Sequence, residues 1–248
     1  MTASLDLNAD LGEGVGDDAA MLDIVSSASI ACGGHAGDEN TMRAALRAAK
    51  SRGVVVGAHP SFPDRVNFGR TRMVLAPEEL DATLRAQVRT LVELGEEERW
   101  PVRYVKLHGA LANMAAEEPA IAAVCFAAVE GLVRDLAILA IDNSAQSEVA
   151  QALGFRVIHE AYADRAYQPN GLLVPRQMPG SVLDNKLTIA DRAVRLAEKG
   201  EIEAVDGGTI ITQARSLCIH GDTPDAVAIA KAVKASLFLA GVEIRAAV

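Results

Sequence analysis

The segment Leu5-Asp6-Leu7-Asn8-Ala9-Asp10-Leu11 decides the fold. Its apolar residues share one parity and its polar residues the other, and successive side chains of a strand point to opposite faces. One face of this strand, Ser4–Leu11, therefore meets helices while the other meets something polar. An open parallel sheet sandwiched between helix layers needs apolar side chains on both faces. A barrel whose interior is polar near its mouth satisfies the alternation. The expected fold is thus a single α/β domain over residues 1–248, a seven-stranded, slightly irregular (β/α) barrel.

The rest of the chain supports that reading. Short apolar runs at 29–32, 54–59, 103–108, 136–142, 156–160 and 216–220 alternate with segments of helical period, as consecutive βα units do. Asp38 opens a helix over 40–51, and Pro77 occupies the first turn before 78–94, with Gly95 as its stop. Thr188 with Asp191 resembles a capping box for a helix closing at Gly200. Thr223-Pro224 starts the last helix, and Gly241 ends it. Residues 110–133 form two helices broken near Pro119, because an internal proline removes a helical hydrogen bond. No linker, repeat or low-complexity tract divides the chain.

The 248 residues are 50% hydrophobic and 23% charged, which excludes a disordered tail. Lys and Arg number 24 against 33 Asp and Glu, for a net charge of -9, and no basic block tracks a phosphate backbone, so nucleic acid is excluded as a partner. The apolar runs fall well short of the roughly 20 residues that span a bilayer. The start, Met1-Thr2-Ala3-Ser4-Leu5-Asp6, lacks a signal-peptide pattern, and three cysteines without CxxC spacing fit a reducing compartment, so a cytoplasmic location is expected.

All five histidines, His35, His59, His108, His159 and His220, fall at or just after the C-terminal end of an expected strand. That end of a (β/α) barrel carries the active site. Strand parity sorts the neighbours: Lys106 goes with His108, Glu160 with Tyr162 and Asp164, and Cys218 with His220 and Asp222. His159 takes the opposite parity to Glu160 and should pack against helices. The residue types suit general acid/base work on a small polar substrate, with Asp10, Glu13 and Glu160 as carboxylates, His59 and His108 as imidazoles, and Lys106 as a cation for an anionic group. Cys32 reads better as a buried small residue than as a nucleophile. Asp10, His35 and His59 make an alternative two-His, one-carboxylate metal set.

Two loops at strand ends carry two arginines each. One, from Pro60 to Arg70, holds two of the five phenylalanines with Arg65 and Arg70, and the other, from Asp164 to Arg176, has the composition of a substrate lid. Neither GxxxxGK[ST] nor a GxGxxG after a strand occurs, so spacing alone announces no nucleotide site.

The motifs Asp6-Leu7-Asn8-Ala9-Asp10-Leu11-Gly12-Glu13, Ala31-Cys32-Gly33-Gly34-His35-Ala36-Gly37-Asp38 and Gly57-Ala58-His59-Pro60-Ser61-Phe62-Pro63-Asp64 with Phe68-Gly69-Arg70 closely resemble the LamB/YcsF family, the A subunits of 5-oxoprolinases. The match continues through Val105-Lys106-Leu107-His108-Gly109-Ala110-Leu111, Glu160-Ala161-Tyr162-Ala163-Asp164-Arg165 and Ile219-His220-Gly221-Asp222, and so spans the chain. The resemblance implies a barrel like those of the glycoside hydrolase/deacetylase superfamily. It also implies ATP-dependent opening of 5-oxo-L-proline to L-glutamate, ADP and phosphate in company with B and C subunits, ATP being a cosubstrate that enters only through the resemblance.

On this reading Asp10, His59, Lys106, His108 and Glu160 are the catalytic candidates. Asn8, Glu13, Arg70, Asp164, Arg165 and His220 are the substrate-binding ones. Asp10 or His59 is the expected base, Lys106 and His108 stabilise developing charge, and Arg70 or Arg165 holds the substrate carboxylate. The need for a divalent metal is left open. Competing readings are a stand-alone metal-dependent deacetylase or carbohydrate hydrolase, and a non-catalytic subunit that captures 5-oxoproline.

Overall fold

A computed structural model describes residues 3–248. Strands β1 (Ser4–Leu11), β2 (Ser27–Ala31), β3 (Val55–His59), β4 (Val102–Val105), β5 (Ala137–Ile141) and β6 (Arg156–Tyr162) run parallel in sequence order. A hairpin of β7 (Glu201–Glu203) and β8 (Thr209–Ile211) intervenes, and β9 (Ser216–Ile219) then pairs with both β6 and β1. That double pairing closes a seven-stranded parallel barrel, and a short β10 (Glu243–Ile244) adds to the start of β1.

Around it lie helices α1 (Asp18–Leu22), α2 (Glu39–Arg52), α3 (Pro77–Glu97), α4 (Gly109–Glu117), α5 (Pro119–Val129), α6 (Ala145–Ala152), α7 (Lys186–Lys199) and α8 (Ala226–Leu239). Among the described residues, no helix is long and apolar enough to cross a membrane.

The alternation of β1 is realised as the sequence implies. Leu5, Leu7, Ala9 and Leu11 join the apolar layer between strands and helices, while Asp6, Asn8 and Asp10 turn inward and are buried. The polarity runs deeper than the mouth, to which the sequence reading confined it. Asp6 accepts hydrogen bonds from the hydroxyls of Ser26, Ser27 and Ser216, and burial still pushes its carboxyl above the usual range. Opposite it, the interior is apolar, formed by Tyr104, Ala137, Leu139 and Ile158. Gly57 makes room for Tyr104: a Cβ there would sit 2.2 Å from the ring.

Several boundaries differ from expectation. Asp38 caps α2 through a capping box with Thr41, and Pro119 separates α4 from α5 as anticipated. Gly95 does not stop α3, which continues to Glu97; glycine is needed there because a Cβ would lie 2.9 Å from the Trp100 carbonyl. The cap of α7 is Asn185, whose side chain accepts from Leu187 and Thr188 N–H, and α8 begins at Ala226, after Asp225. Gly200 closes α7 in the left-handed conformation, as the sequence implied. The β7–β8 hairpin and β10 have no counterpart in the sequence reading.

Candidate functional site

Lys106 sits at the centre of the barrel, one residue beyond β4. Its Nζ lies 2.9 Å from Asp10 Oδ1, 3.0 Å from Glu160 Oε1, 3.0 Å from Cys218 Sγ and 3.3 Å from Asn8 Oδ1. Burial disfavours the ammonium, but Asp10, Cys218 and Glu160 outweigh it and hold the pKa well above the ordinary lysine value. Asn8 completes this floor by donating to Glu160 Oε1 and Ser216 Oγ. All three ammonium hydrogens thus have acceptors inside the barrel. Lys106 fixes Asp10 and Glu160 in place, and the arginines above it are the cations open to an incoming anion.

Above this floor lies a histidine cluster. His59 ends β3, with Nδ1 against the Lys106 carbonyl at 2.8 Å and Nε2 3.4 Å from Asp10 Oδ2. His108, which precedes α4, places Nδ1 3.0 Å from His59 Nε2 and Nε2 2.9 Å from the Phe68 carbonyl. His35 stacks on His108 at 3.6 Å between ring centroids and approaches Glu13 Oε1 through Nε2 at 3.0 Å.

Burial and the neighbouring imidazoles set the charges in this cluster. The His35 pKa falls to about 3, chiefly through burial and then His59, and His108 is lowered well below the usual range by burial, His59 and His35. Burial, then the charges of Asp10 and Asp222, push Glu13 well above it. At Asp10 burial acts upward, but His59 and Lys106 overcome it, so this carboxyl stays ionised. Asp10 is therefore a firm anion beside His35 and His108, two imidazoles that burial keeps neutral.

The other side of the mouth is organised differently. Asp164 Oδ1 lies 2.8 Å from His220 Nδ1, and its second oxygen accepts from the Thr223 hydroxyl at 2.7 Å. Burial would raise Asp164, yet His220 and Thr223 pull it below the usual range. A carboxylate bound to Nδ1 fixes the imidazole tautomer and leaves Nε2 as an acceptor. Tyr162 stacks on His220 at 5.4 Å.

A cleft of about 620 Å³ connects the two sides and is lined by Asp10, His59, Lys106, His108, Tyr162 and His220 together with Arg70, Arg165 and Arg176. That volume suits a small ligand. Arg70 pairs with Asp222 and lies over the Phe68 ring. The Arg165 guanidinium bonds the carbonyls of Ser181 and Val174, and Arg65 bonds those of Gly33 and Gly37. Both therefore staple loops, which the sequence reading did not anticipate. Arg176 lines the cleft with no side-chain partner among the described residues, so of the bases that the sequence places at the mouth it joins Arg70 as an anion-binding candidate.

The loop from Asp164 to Arg176 is pinned more firmly than a mobile lid: Tyr167 is buried, and its hydroxyl accepts from Tyr162 N–H at 2.7 Å. Glu13 and His35 come together across the turns after β1 and β2, whereas the metal set expected from sequence paired His35 with Asp10 and His59. His159 lies inside β6 rather than at its end and points away from the site, 3.0 Å from Asp142. The Cys32 thiol is buried and pushed up to about 12, which removes it as a nucleophile.

Comparison with known proteins adds the missing context. The chain is 44% identical over 236 residues to the third 5-oxoprolinase A subunit of Pseudomonas syringae pv. tomato, covering 93% of this chain and 92% of that one. The crystal structure of a lactam utilization protein from Thermus thermophilus superposes with a TM-score of 0.92 at 41% identity, covering 98% and 99% of the two chains. A Bacillus subtilis peptidoglycan deacetylase, 12% identical with a TM-score of 0.50 and with 98% and 87% of the two chains covered, shares the fold alone. The LamB/YcsF family model matches residues 5–248, through every strand that builds the mouth, and the chain belongs to that family.

Proposed function

We propose that this chain is the A subunit of a multi-subunit 5-oxoprolinase and that its mouth opens the lactam ring of 5-oxo-L-proline, converting it with ATP and water to L-glutamate, ADP and phosphate. What carries the reading is the near-full-length likeness to a protein named as a 5-oxoprolinase A subunit. The cleft accords with it. A lactam is a flat, neutral amide with a poor leaving group, and phosphorylation of its oxygen makes the carbon attackable by water. Asp10, ionised beside His59, then serves as the base for that water. His108 stabilises developing charge, with Lys106 holding the floor rigid. His220, oriented by Asp164, takes up a proton on Nε2 and passes it to the ring nitrogen as the C–N bond breaks, and a second water then cleaves the resulting acyl phosphate to glutamate and phosphate. Arg70 and Arg176 hold the substrate carboxylate, as planar guanidiniums do well.

Reconstitution tests the proposal. The chain is mixed with B and C subunits, 5-oxo-L-proline and ATP, and glutamate and ADP are both measured. Glutamate matching ADP only in the complete mixture is expected. Equal glutamate formation without the chain, or without ATP, would overturn it.

A further inference from the structure

The contact between His59 and His108 is not closed by the hydrogens that neutral imidazoles carry. His59 Nδ1 faces the Lys106 carbonyl at 2.8 Å, and His108 Nε2 faces the Phe68 carbonyl at 2.9 Å. A carbonyl only accepts, so each of these nitrogens bears its ring's hydrogen. The remaining nitrogens, His59 Nε2 and His108 Nδ1, are 3.0 Å apart and present lone pairs to each other.

His35 repeats the pattern. Ser61 Oγ donates to the Phe62 carbonyl at 2.8 Å and so accepts from His35 Nδ1 at 3.0 Å. That leaves the His35 Nε2 lone pair 3.0 Å from a Glu13 oxygen. Three buried imidazole nitrogens and a Glu13 oxygen gather here with the hydrogens of all three rings pointing away, and the stacked His35 and His108 rings, 8° from parallel, would tilt apart for both nitrogens to meet one ion.

We propose that Glu13, His35, His59 and His108 form a binding site for one first-row divalent cation of the zinc class. Metal-binding histidines commonly donate their other ring N–H to a carbonyl or similar acceptor, which fixes the tautomer and aims the ligand nitrogen. Here the Lys106 and Phe68 carbonyls and the Ser61 hydroxyl do so for all three rings. The four residues each offer a ligand atom within 4.8 Å of the others. Observed separations of 3.0 Å for His59–His108, 3.0 Å for His35–Glu13 and 3.8 Å for His108–Glu13 bracket the roughly 3.3 Å edge of a tetrahedron with metal–ligand bonds of about 2.0–2.1 Å.

Three nitrogens and one carboxylate favour zinc, cobalt or ferrous ions over magnesium or calcium, which take oxygen ligands. The ligands come from the end of β3 and the turns after β1, β2 and β4, four consecutive positions on a rigid rim. Gly69 keeps the rim tight, since a Cβ there would lie 2.9 Å from both the His35 and His108 side chains. Cation binding at this rim stands or falls separately from lactam cleavage.

The test uses the full chain stripped with a chelator and then titrated with Co²⁺, reading the visible absorption of tetrahedral cobalt, followed by displacement with Zn²⁺. One cation per chain with a tetrahedral spectrum is expected. Glu13→Gln and His35→Ala each remove a ligand and should abolish the tetrahedral spectrum. Ser61→Ala keeps all four ligands and should weaken binding by about 10- to 100-fold. Cys218→Ser, which alters the neighbouring Asp10, Cys218 and His220 group, should leave the spectrum unchanged. No stoichiometric binding by the folded wild-type chain would overturn the proposal and leave a shared proton as the bridge between His59 and His108. Binding untouched by Glu13→Gln and His35→Ala, or lost in Cys218→Ser, would overturn it as well.

Discussion

The two sides of the barrel mouth solve the same problem, holding histidines in an apolar shell, in opposite ways. On the β1–β4 side, His35, His59 and His108 tie their outer nitrogens to Ser61, Lys106 O and Phe68 O and turn bare nitrogens toward one another. On the β6–β9 side, His220 gives its Nδ1 to the Asp164 carboxylate, among arginines. The first arrangement is directed inward and suits something small and fixed. The second is directed outward and suits something that comes and goes. Lys106 lies beneath both, bonded to Asp10 from the first side and to Glu160 from the second.

That shared floor gives the largest expected effect. Lys106→Met leaves two buried carboxylates without their cation, and removal of one partner from a buried ion pair costs about 3–5 kcal/mol. Urea unfolding should show that loss together with collapse of activity. An unchanged midpoint would mean that the two sides do not depend on a common centre.

Asp164→Asn breaks the comparison on the β6–β9 side alone. It removes the charge that orients His220 while keeping the shape, and steady-state turnover of the reconstituted complex should fall by about 10²-fold. Unfolding should show a cost of about 1–2 kcal/mol, far below the loss in turnover as a share of the wild-type value.

Arg176→Ala sharpens the claim that this side meets the substrate carboxylate. KM for 5-oxo-L-proline should rise about tenfold with kcat unchanged, the equivalent of roughly 1.5 kcal/mol for one charge-assisted hydrogen bond. A fall in kcat with KM unchanged would place Arg176 elsewhere in the cycle.

The smallest effect belongs to an outward His–carboxylate pair that the site does not use. Asp142 accepts from the Thr212 hydroxyl and Gln213 N–H beside His159; burial acts upward on it, but these partners hold its carboxyl well below the usual range. A depressed folded pKa gives stability that is full above the unfolded value of about 3.9 and is lost as pH falls through the folded one. Asp142→Asn should therefore cost about 1 kcal/mol at neutral pH, with the difference shrinking on acidification below about pH 4 and turnover untouched.

Period-two patterning made the fold legible because it survives any detail of loops. Leu5 to Leu11 displays the inside and outside of the barrel directly, and the placement of His59, His108 and His220 at strand ends follows from the same counting. Turns hid the rest. Glu13 reaches His35 through a turn in which Gly12 and Gly14 take positive φ, a path that no spacing rule encodes. Arg65 and Arg165 have the look of anion receptors in sequence, yet backbone carbonyls claim both. The β7–β8 hairpin is two three-residue strands flanked by charge, too short for an alternation to register.

If the lactam ring opens at this mouth, His108→Ala in the reconstituted complex should disable the reaction. The variant removes one imidazole that lines the cleft. Glutamate formation measured over a single turnover with ATP and 5-oxo-L-proline should fall by about 10²- to 10³-fold, the usual weight of one group that stabilises developing charge. A wild-type rate from a folded His108→Ala chain would contradict the account.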